Sequence, residues 1–214
     1  MDLRLFYLIL FICSSYIIGS IQFGIIISRI LGKIDVREYG SGKTGTTNIL
    51  RTLGVLPAVL VIMLDILKGA FPVIVANSFF DIALMPALGA FFVIVGHCWP
   101  IFSSFKGGRG VASAFGGFIV FAPYAALIIL LLGILIILFT KYVSLASIVT
   151  VFLSSVTIIA MVFLEFLSYE VLFFAIPTAL LIEINHLDNM NRLIHGTEAK
   201  FGQRVDIKNK NDKQ

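Results

Sequence analysis

Seven apolar runs, separated by short polar segments, follow one another along the chain and limit the folds that it can adopt. The runs lie at about 5–28, 55–76, 82–99, 111–122, 124–139, 143–164 and 171–187. A helix needs roughly 20 apolar residues to cross about 30 Å of hydrocarbon, and the first, second and sixth runs meet that length easily. Only 13% of the residues are charged, which excludes a water-soluble globular domain. We predict an all-α membrane protein with a single helical domain over 1–203 and a polar cytoplasmic tail over 204–214.

The placement of Lys and Arg decides how the middle of the chain is interpreted. Residues 111–139 could form one tilted helix, or two helices that turn near Pro123, because proline breaks a helix. With seven spans and the N-terminus outside, all of the 16 basic residues except Arg4 and Lys68 are either cytoplasmic or at the cytoplasmic interface. We therefore predict seven transmembrane helices and a cytoplasmic C-terminus. Five or six spans with a re-entrant segment remain open, because 111–122 is short.

The first polar segment, at 40–51, combines glycines with hydrogen-bond donors. It matches the G-x-G-x-x-G pattern of dinucleotide sites, but no strand–helix–strand unit surrounds it. It also resembles the end of a Walker A loop, whose first glycine would fall at Arg37. A glycine-rich turn that opens onto a helix, with Ser41, Asn48 and Arg51 as donors, is nevertheless typical of phosphate binding. An ordinary cytoplasmic loop with capping residues is the alternative.

The second polar segment, at 96–110, offers up to three cations, at His97, Lys106 and Arg109. Glycines at 107, 108 and 110 allow a ligand to approach the backbone closely. Val111 is predicted to begin a helix, whose first N–H groups would face the same anion. The segment is therefore predicted to be a second phosphate-type loop.

Two further groups of polar residues are ambiguous. Asp65 and Lys68 lie inside the second run, where the i, i+3 spacing lets them pair on one helix face. Buried charges in a membrane are costly unless paired, so a structural pair is at least as consistent with the spacing as direct chemistry. The cluster at 186–200 follows a helix end, and a solvated tail is its alternative reading.

Several classes of site and partner are not predicted. Cys13 and Cys98 lie in different apolar runs, and no metal-ligand spacing is present. The net charge of +4 comes from loops between the spans, where basic residues ordinarily orient a chain in the bilayer. We therefore expect no metal, no cofactor and no nucleic acid partner.

Taken in order, these segments closely resemble the bacterial membrane glycerol-3-phosphate acyltransferases that use acyl phosphate as donor. The resemblance runs from 19 to 202 and is carried by 40–51, 65–69, 96–97, 105–111, 142–145 and 186–200. The chain departs from the family pattern at a few positions, of which two keep the charge. These positions are Gln22, Lys43, Thr46, Arg109 and Lys141.

The resemblance implies a seven-helix enzyme of the bacterial inner membrane, with its site at the cytoplasmic face. Such an enzyme transfers a fatty acyl group from acyl phosphate to the sn-1 hydroxyl of glycerol 3-phosphate. Its products are lysophosphatidic acid and phosphate, and the reaction opens phospholipid synthesis. Its partners are the two substrates and membrane lipid.

The resemblance and the residue chemistry together assign candidate site residues. The residues assigned to catalysis are Ser41, Arg51, Lys106, His186 and Asn189. The residues assigned to substrate and phosphate binding are Gly42, Gly45, Asn48, His97, Gly107, Gly108, Arg109, Gly110, Ser144 and Glu198.

The expected chemistry rests on charge. Acyl phosphate is already activated, so the protein mainly needs cations, N–H donors and alignment to join two anions. No Ser-His-Asp triad is evident, and the His-x4-Asp arrangement of soluble acyltransferases is missing, because Phe102 and Asn191 occupy the fifth positions after His97 and His186. A substrate phosphate oxygen is expected to take the hydroxyl proton.

Two other functions remain as alternatives. A transporter of a phosphorylated solute should have half-helices that meet at mid-membrane in two related halves, and no such halves are visible. A non-catalytic membrane scaffold would not need so many glycine-flanked cations.

Overall fold

The structure, a computed structural model, describes residues 3–205, and every long element in that range is an α-helix. The ten helices are α1 Leu3–Gly19, α2 Phe23–Gly32, α3 Thr46–Leu53, α4 Val55–Phe79, α5 Met85–Cys98, α6 Val111–Phe121, α7 Pro123–Thr140, α8 Val143–Phe163, α9 Leu172–Ile184 and α10 Leu187–Ile194. Short 3-10 turns lie at Val36–Glu38, Ile101–Ser103 and Tyr169–Val171. The predicted all-α class is confirmed for the described residues, and most of the predicted tail lies beyond them.

Five helical segments in the described range are long and apolar enough to cross a membrane. They are Leu3–Gly32, Val55–Phe79, Met85–Ser103, Pro123–Thr140 and Val143–Phe163. Tyr169–Ile184 and Leu187–Ile194 make a sixth if this pair, bent by 52°, is counted as one broken span. Helix α6 is apolar but has only 11 residues. The chain is thus a polytopic helical protein, while the count of seven and the orientation of the termini stay predictions.

The proline break in the middle region is present. Helix α6 ends at Phe121, and α7 begins at Pro123. Proline has no backbone N–H, and this costs nothing at the first position of a helix, because N–H groups there have no carbonyl partner within the helix. The first apolar run, by contrast, is not one helix. It is interrupted between Gly19 and Phe23, where the buried side chain of Gln22 donates to the carbonyl oxygen of His97 and that of Ser20 accepts the N–H of Ile101.

Helices α4 and α6 touch through their backbones. A Cβ atom added at Gly116 would lie 2.0 Å from the carbonyl oxygen of Ile66, and one added at Gly69 would lie 1.9 Å from that of Ser113. Small residues allow such close approach, which is a main source of helix association where lipid removes the hydrophobic driving force. The contact fixes α6 and the loop before it against α4.

The apolar core divides into two clusters. The larger cluster joins α4 to α9 and includes Ile94, Phe118, Ile158 and Ile182. The smaller one lies under α3, where Ile27, Val36, Ile49 and Val61 pack together. The smaller cluster anchors the polar segment between α2 and α3, so that segment is part of the packed structure.

We expect Gly116→Ala to destabilise the protein, because the new methyl group would overlap the backbone of α4. Overpacking typically lowers the free energy of unfolding by about 1–3 kcal/mol. Thermal unfolding in detergent, followed by circular dichroism, measures the change. Gly133→Ala is the matched control, since its added Cβ meets only the side chain of Thr150, at 3.1 Å. Equal unfolding midpoints for the two variants would contradict the backbone contact.

Candidate active site

A cavity of about 450 Å³ connects the polar loops with the apolar interior of the bundle. Its polar wall carries Ser41, Lys43, Arg51, Arg109, Ser144, His186, Asn189, Arg192 and Glu198. Its apolar wall is supplied by α6, α7, α8 and α9 through residues that include Phe115, Phe118, Ile134, Ile158 and Phe174. One continuous space thus has a cationic end and a hydrocarbon end.

The first polar loop takes its shape from the side chain of Asn48. The amide nitrogen donates to the carbonyl oxygens of Val36, Tyr39 and Lys43 at 3.1, 3.0 and 2.9 Å. The amide oxygen accepts the backbone N–H of Ser41 at 3.1 Å. Helix α3 begins at Thr46, as the glycine-rich turn predicted. Asn48 lines the cavity, but its amide is used to hold the loop.

Arg51 connects the first loop to the last described segment. Its Nη2 donates to the carbonyl oxygen of Ala199 at 3.0 Å, and its own carbonyl oxygen accepts the N–H of Val205. Burial lowers the pKa of the guanidinium, while the nearby Glu198 raises it. Arginine stays charged in proteins, so Arg51 is a partly buried cation at the cavity wall.

His186 is the N-cap residue of α10, and Asn189 and Arg192 follow at intervals of three residues along that helix. Asn189 Nδ2 donates to Glu198 Oε1 at 2.8 Å, and Arg192 Nε donates to Glu198 Oε2 at 2.7 Å. Burial pushes the pKa of Glu198 upward, but the hydrogen bonds from Arg192 and Asn189 outweigh it, and the net pKa lies below its ordinary value. Glu198 is therefore an ionised anchor for Asn189 and Arg192.

Several buried polar atoms on the cavity wall have no hydrogen-bond partner in the described part of the chain. Among them are Thr46 Oγ1, Thr178 Oγ1, Arg109 Nε and Asn189 Oδ1. Buried polar groups are nearly always paired in native proteins, so these atoms are where a ligand would supply partners. Arg109 can only donate and Asn189 Oδ1 can only accept, so a fitting ligand offers both a hydrogen-bond acceptor and a hydrogen-bond donor.

His186 has a defined tautomer at this wall. Its Nδ1 lies 2.8 Å from the carbonyl oxygen of Ile182. A carbonyl oxygen only accepts, so Nδ1 carries the proton, and Nε2 of the neutral ring is an acceptor. The side chain is buried and lines the cavity beside Asn189.

Eleven of the fifteen residues assigned from the sequence line the cavity. They are Ser41, Gly45, Asn48, Arg51, His97, Arg109, Gly110, Ser144, His186, Asn189 and Glu198. The other four do not form its wall: Gly42, Lys106, Gly107 and Gly108. Lys106 is exposed, whereas Gly107 and Gly108 pack behind the wall against His97. The assignments of all fifteen remain predictions of function.

Several polar residues of the wall were not assigned from the sequence, among them Arg192, Thr46 and Thr47. Arg192 follows Asn189 by three residues, and this helical spacing would have placed both on one face. Thr46 and Thr47 begin α3, directly after the glycine-rich turn. The apolar wall is assembled from four successive helices, α6 to α9, and no local pattern marks it.

The predicted pair inside the second apolar run is present. Lys68 Nζ lies 2.7 Å from Asp65 Oδ1, and both side chains are buried. Asp65 and His97 reach the cavity wall. Among residues 3–205, no group of three His, Cys, Asp or Glu side chains is placed to hold a metal ion.

Comparison with known proteins identifies relatives over nearly the whole chain. The model of the family described as glycerol-3-phosphate acyltransferase matches residues 9–196. Glycerol-3-phosphate acyltransferase of Shouchella clausii is 41% identical over 201 residues, covering 92% of this chain and 97% of that protein. Glycerol-3-phosphate acyltransferase 3 of Dehalococcoides mccartyi is 37% identical over 209 residues, with the same coverage.

Two solved structures have the same fold. One is the glycerol 3-phosphate form of PlsY (YgiH), an integral membrane glycerol 3-phosphate acyltransferase, with a TM-score of 0.83 and 38% identity over 92% of this chain and 96% of that one. The other is the lysophosphatidic acid form of PlsY, with a TM-score of 0.82 and 37% identity at the same coverage.

We expect Glu198→Gln to destabilise the protein, because a glutamine offers one acceptor where Asn189 and Arg192 need two. Leaving a buried donor unpaired costs about 1–3 kcal/mol. Since the pKa of Glu198 is lowered by folding, its stabilisation is present above the ordinary value of 4.5 and is lost as the pH falls through the lowered value.

Thermal unfolding in detergent between neutral and acid pH tests this expectation. The gap between wild type and Glu198→Gln should be widest at neutral pH and should close on acidification. Glu165→Gln, at an exposed position, is the matched control and should show no gap. A gap that stays constant with pH would contradict the role of the carboxylate.

Proposed function

Because the chain belongs to the glycerol-3-phosphate acyltransferase family, we propose that it transfers a fatty acyl group from acyl phosphate to the sn-1 hydroxyl of glycerol 3-phosphate. The products are lysophosphatidic acid and inorganic phosphate. We place the enzyme in the bacterial inner membrane, with its site at the cytoplasmic face. The solved relatives, described in glycerol 3-phosphate and lysophosphatidic acid forms, support the acceptor and the product.

The observation that carries the proposal is the continuity of one cavity from a cationic end to an apolar end. A small phosphorylated acceptor fits the cationic end. A donor with a phosphoryl head and a hydrocarbon tail fits both ends at once. On α8 alone the lining extends from Ser144 to Ile158, which is about 21 Å along the helix axis.

The cationic end answers the main obstacle to the reaction, which is the repulsion between two anions. Two unit charges 4 Å apart repel by roughly 4 kcal/mol at an effective dielectric constant of 20. Arg51, Arg109 and Arg192 lie on the wall together with Lys43. Burial lowers the pKa of Arg109, and the neighbouring Arg192 lowers it further, yet a guanidinium remains charged. The set can therefore neutralise two phosphoryl groups.

The acceptor side of the wall suits a hydroxyl group. Glu198 holds the amide nitrogen of Asn189, which lines the cavity, and leaves Asn189 Oδ1 buried without a partner. His186 Nε2 offers a second acceptor nearby on the same wall. These two atoms would align a glycerol hydroxyl, and alignment of this kind removes much of the entropic barrier.

The reaction then needs little more from the protein. The hydroxyl oxygen attacks the carbonyl carbon of acyl phosphate, and the bond between that carbon and the bridging phosphate oxygen breaks. An oxygen of the departing phosphate takes the hydroxyl proton. Arg109, which has an unpaired donor on the wall, is placed to stabilise developing negative charge.

Purified protein in detergent should convert labelled glycerol 3-phosphate and palmitoyl phosphate to lysophosphatidic acid acylated at the sn-1 position. Thin-layer chromatography detects the product, and ³¹P NMR distinguishes the two positional isomers. Palmitoyl coenzyme A, supplied instead, should give no product. Detergent removes any gradient, so a transporter would give no product with either donor, and that result would overturn the proposal.

Arg51→Ala should reduce kcat/KM at least about 100-fold, because removing one donor of this kind typically costs about 3 kcal/mol in the transition state. Steady-state assays against both substrates measure the loss. Arg204→Ala removes an exposed cation next to Val205, whose N–H donates to the carbonyl oxygen of Arg51, and should retain wild-type activity. Lys106→Ala should also abolish turnover if the assignment of that exposed lysine to catalysis is correct. Near-normal activity in purified Arg51→Ala would exclude the role given to Arg51.

A further inference from the structure

Three of the Lys and Arg side chains that line the cavity are grouped around one carboxylate. Arg192 Nε donates to Glu198 Oε2 at 2.7 Å. Burial lowers the pKa of Arg51 and of Arg109. Beyond that effect, the charge of Arg192 lowers both pKa values and the charge of Glu198 raises them. The three arginines and Glu198 therefore act on one another electrostatically, and together they are called the arginine group below.

The net charge of the arginine group matches one phosphoryl group. Three guanidinium groups and one ionised carboxylate leave two positive charges. A phosphate monoester carries about two negative charges at neutral pH. The wall carboxylate of Asp65 is already paired with Lys68, at 2.7 Å, and does not alter this balance. The second phosphoryl group of the proposed reaction therefore needs positive charge from another part of the wall.

Lys43 is the remaining Lys or Arg side chain on the cavity wall in the part of the chain that the structure describes. It precedes α3, whereas Arg51 lies in the last turn of that helix. Thr46 begins the helix, and Arg51 follows it by about 8 Å along the helix axis. Cations at opposite ends of α3 can contact two different anions.

The backbone around Lys43 is held from three sides. Its carbonyl oxygen accepts the Nδ2 of Asn48 at 2.9 Å. The next residue, Thr44, is buried, and its hydroxyl donates to Oε1 of the buried Gln22 at 2.6 Å. A Cβ atom added at Gly24 would overlap the carbonyl oxygen of Thr44, so α2 touches this loop through its backbone. The side chain of Lys43 is exposed, and a fixed backbone thus presents a flexible ammonium group.

Hydrogen-bond donors without a protein acceptor lie beside Lys43 on the wall. The N–H groups of Thr46 and Thr47 belong to the first turn of α3, where no carbonyl group of the helix can accept from them. The hydroxyl oxygen of Thr46 is buried without a partner. An ammonium group next to such donors suits an oxyanion. Lys43 and Thr46 are also two of the positions at which the chain departs from the family pattern.

We propose that Lys43 is a specificity-determining residue, whose ammonium group binds the phosphoryl group that the arginine group leaves without a counter-charge. The hydrogen bond between Gln22 and Thr44 is a positioning contact, which holds the loop so that this ammonium group reaches the cavity. The proposal rests on the proposed function for the identity of the two substrates.

Isothermal titration calorimetry in detergent tests the role of Lys43 without turnover. Glycerol 3-phosphate is titrated alone, and inorganic phosphate is titrated at saturating glycerol 3-phosphate, where it can occupy only the remaining phosphoryl site. Lys43→Met keeps an unbranched side chain and removes the charge. It should weaken one of these affinities at least about tenfold and leave the other within about threefold. The affinity that falls identifies the phosphoryl group that Lys43 contacts.

Two further variants control for the loss of charge. Lys33→Met removes an exposed lysine outside the cavity wall and should leave both affinities unchanged. Lys43→Arg keeps the charge and should stay within about threefold of wild type. Unchanged affinities in Lys43→Met, or the loss of both, would overturn the proposal while the proposed function stands. A wild-type protein that binds neither compound would overturn the proposed function, and this proposal with it.

Steady-state kinetics separates binding from chemistry. Lys43→Met should raise the KM of the affected substrate at least about tenfold and keep kcat within about threefold, because the lost contact is present in the ground state as well as in the transition state. A fall in kcat with unchanged KM values would overturn the assignment of Lys43 to substrate binding.

Thr44→Val tests the positioning contact with Gln22, because it removes the hydroxyl group and keeps a similar shape. It should raise the same KM at least about threefold in the wild-type background. In the Lys43→Met background it should have no further effect, because the ammonium group that the contact positions is gone. The same factor in both backgrounds would show a purely structural role and would overturn the positioning part of the proposal.

Discussion

The environment of the Lys68 ammonium group is the constraint on which the arrangement of the loops depends. A charge inside a membrane protein is expensive unless acceptors surround it, and here they come from α4, α5 and the break before α2. The carbonyl oxygen of Ile21 is available only because the chain is not helical at that point. Satisfying one charge therefore fixes the junction of the first two helices relative to the end of α5. Both polar loops start from elements held in this way.

The parts of the fold that the sequence predicted are those with local causes. The proline before Tyr124 separates α6 from α7, and a spacing of three residues pairs Asp65 with Lys68. The break at 20–22 was not predicted, because Gly19, Ser20 and Gln22 are also compatible with a helix and no proline is present. It is stabilised by contacts with Lys68, Thr44 and His97, all distant in sequence. Tertiary contacts of this kind cannot be inferred from one apolar run.

The candidate site was also predicted only in part, because the sequence shows local residue chemistry and does not show tertiary contacts. Residue types with an evident chemistry, such as Arg51, Arg109 and Asn189, do line the cavity. The local use of each side chain was less predictable: Asn48 holds the backbone of its own loop, and Lys106 lies exposed. The apolar wall required the packing of four helices, which depends on contacts such as that between Gly116 and α4. The kinds of side chain at the site could be inferred from the sequence, whereas the position and contacts of each side chain required the folded structure.

The cavity that unites a charged mouth with a hydrocarbon-lined interior also bears on turnover. An acylated product sheltered there would lose about 0.8 kcal/mol for each methylene group moved from the protein into water, so departure through the aqueous side would be slow. Lateral release into the surrounding leaflet carries no such penalty, because the acyl chain moves from one apolar environment into another. An enzyme with such a cavity would release its amphiphilic product directly into the bilayer, while the small ionic by-product diffuses into the aqueous phase.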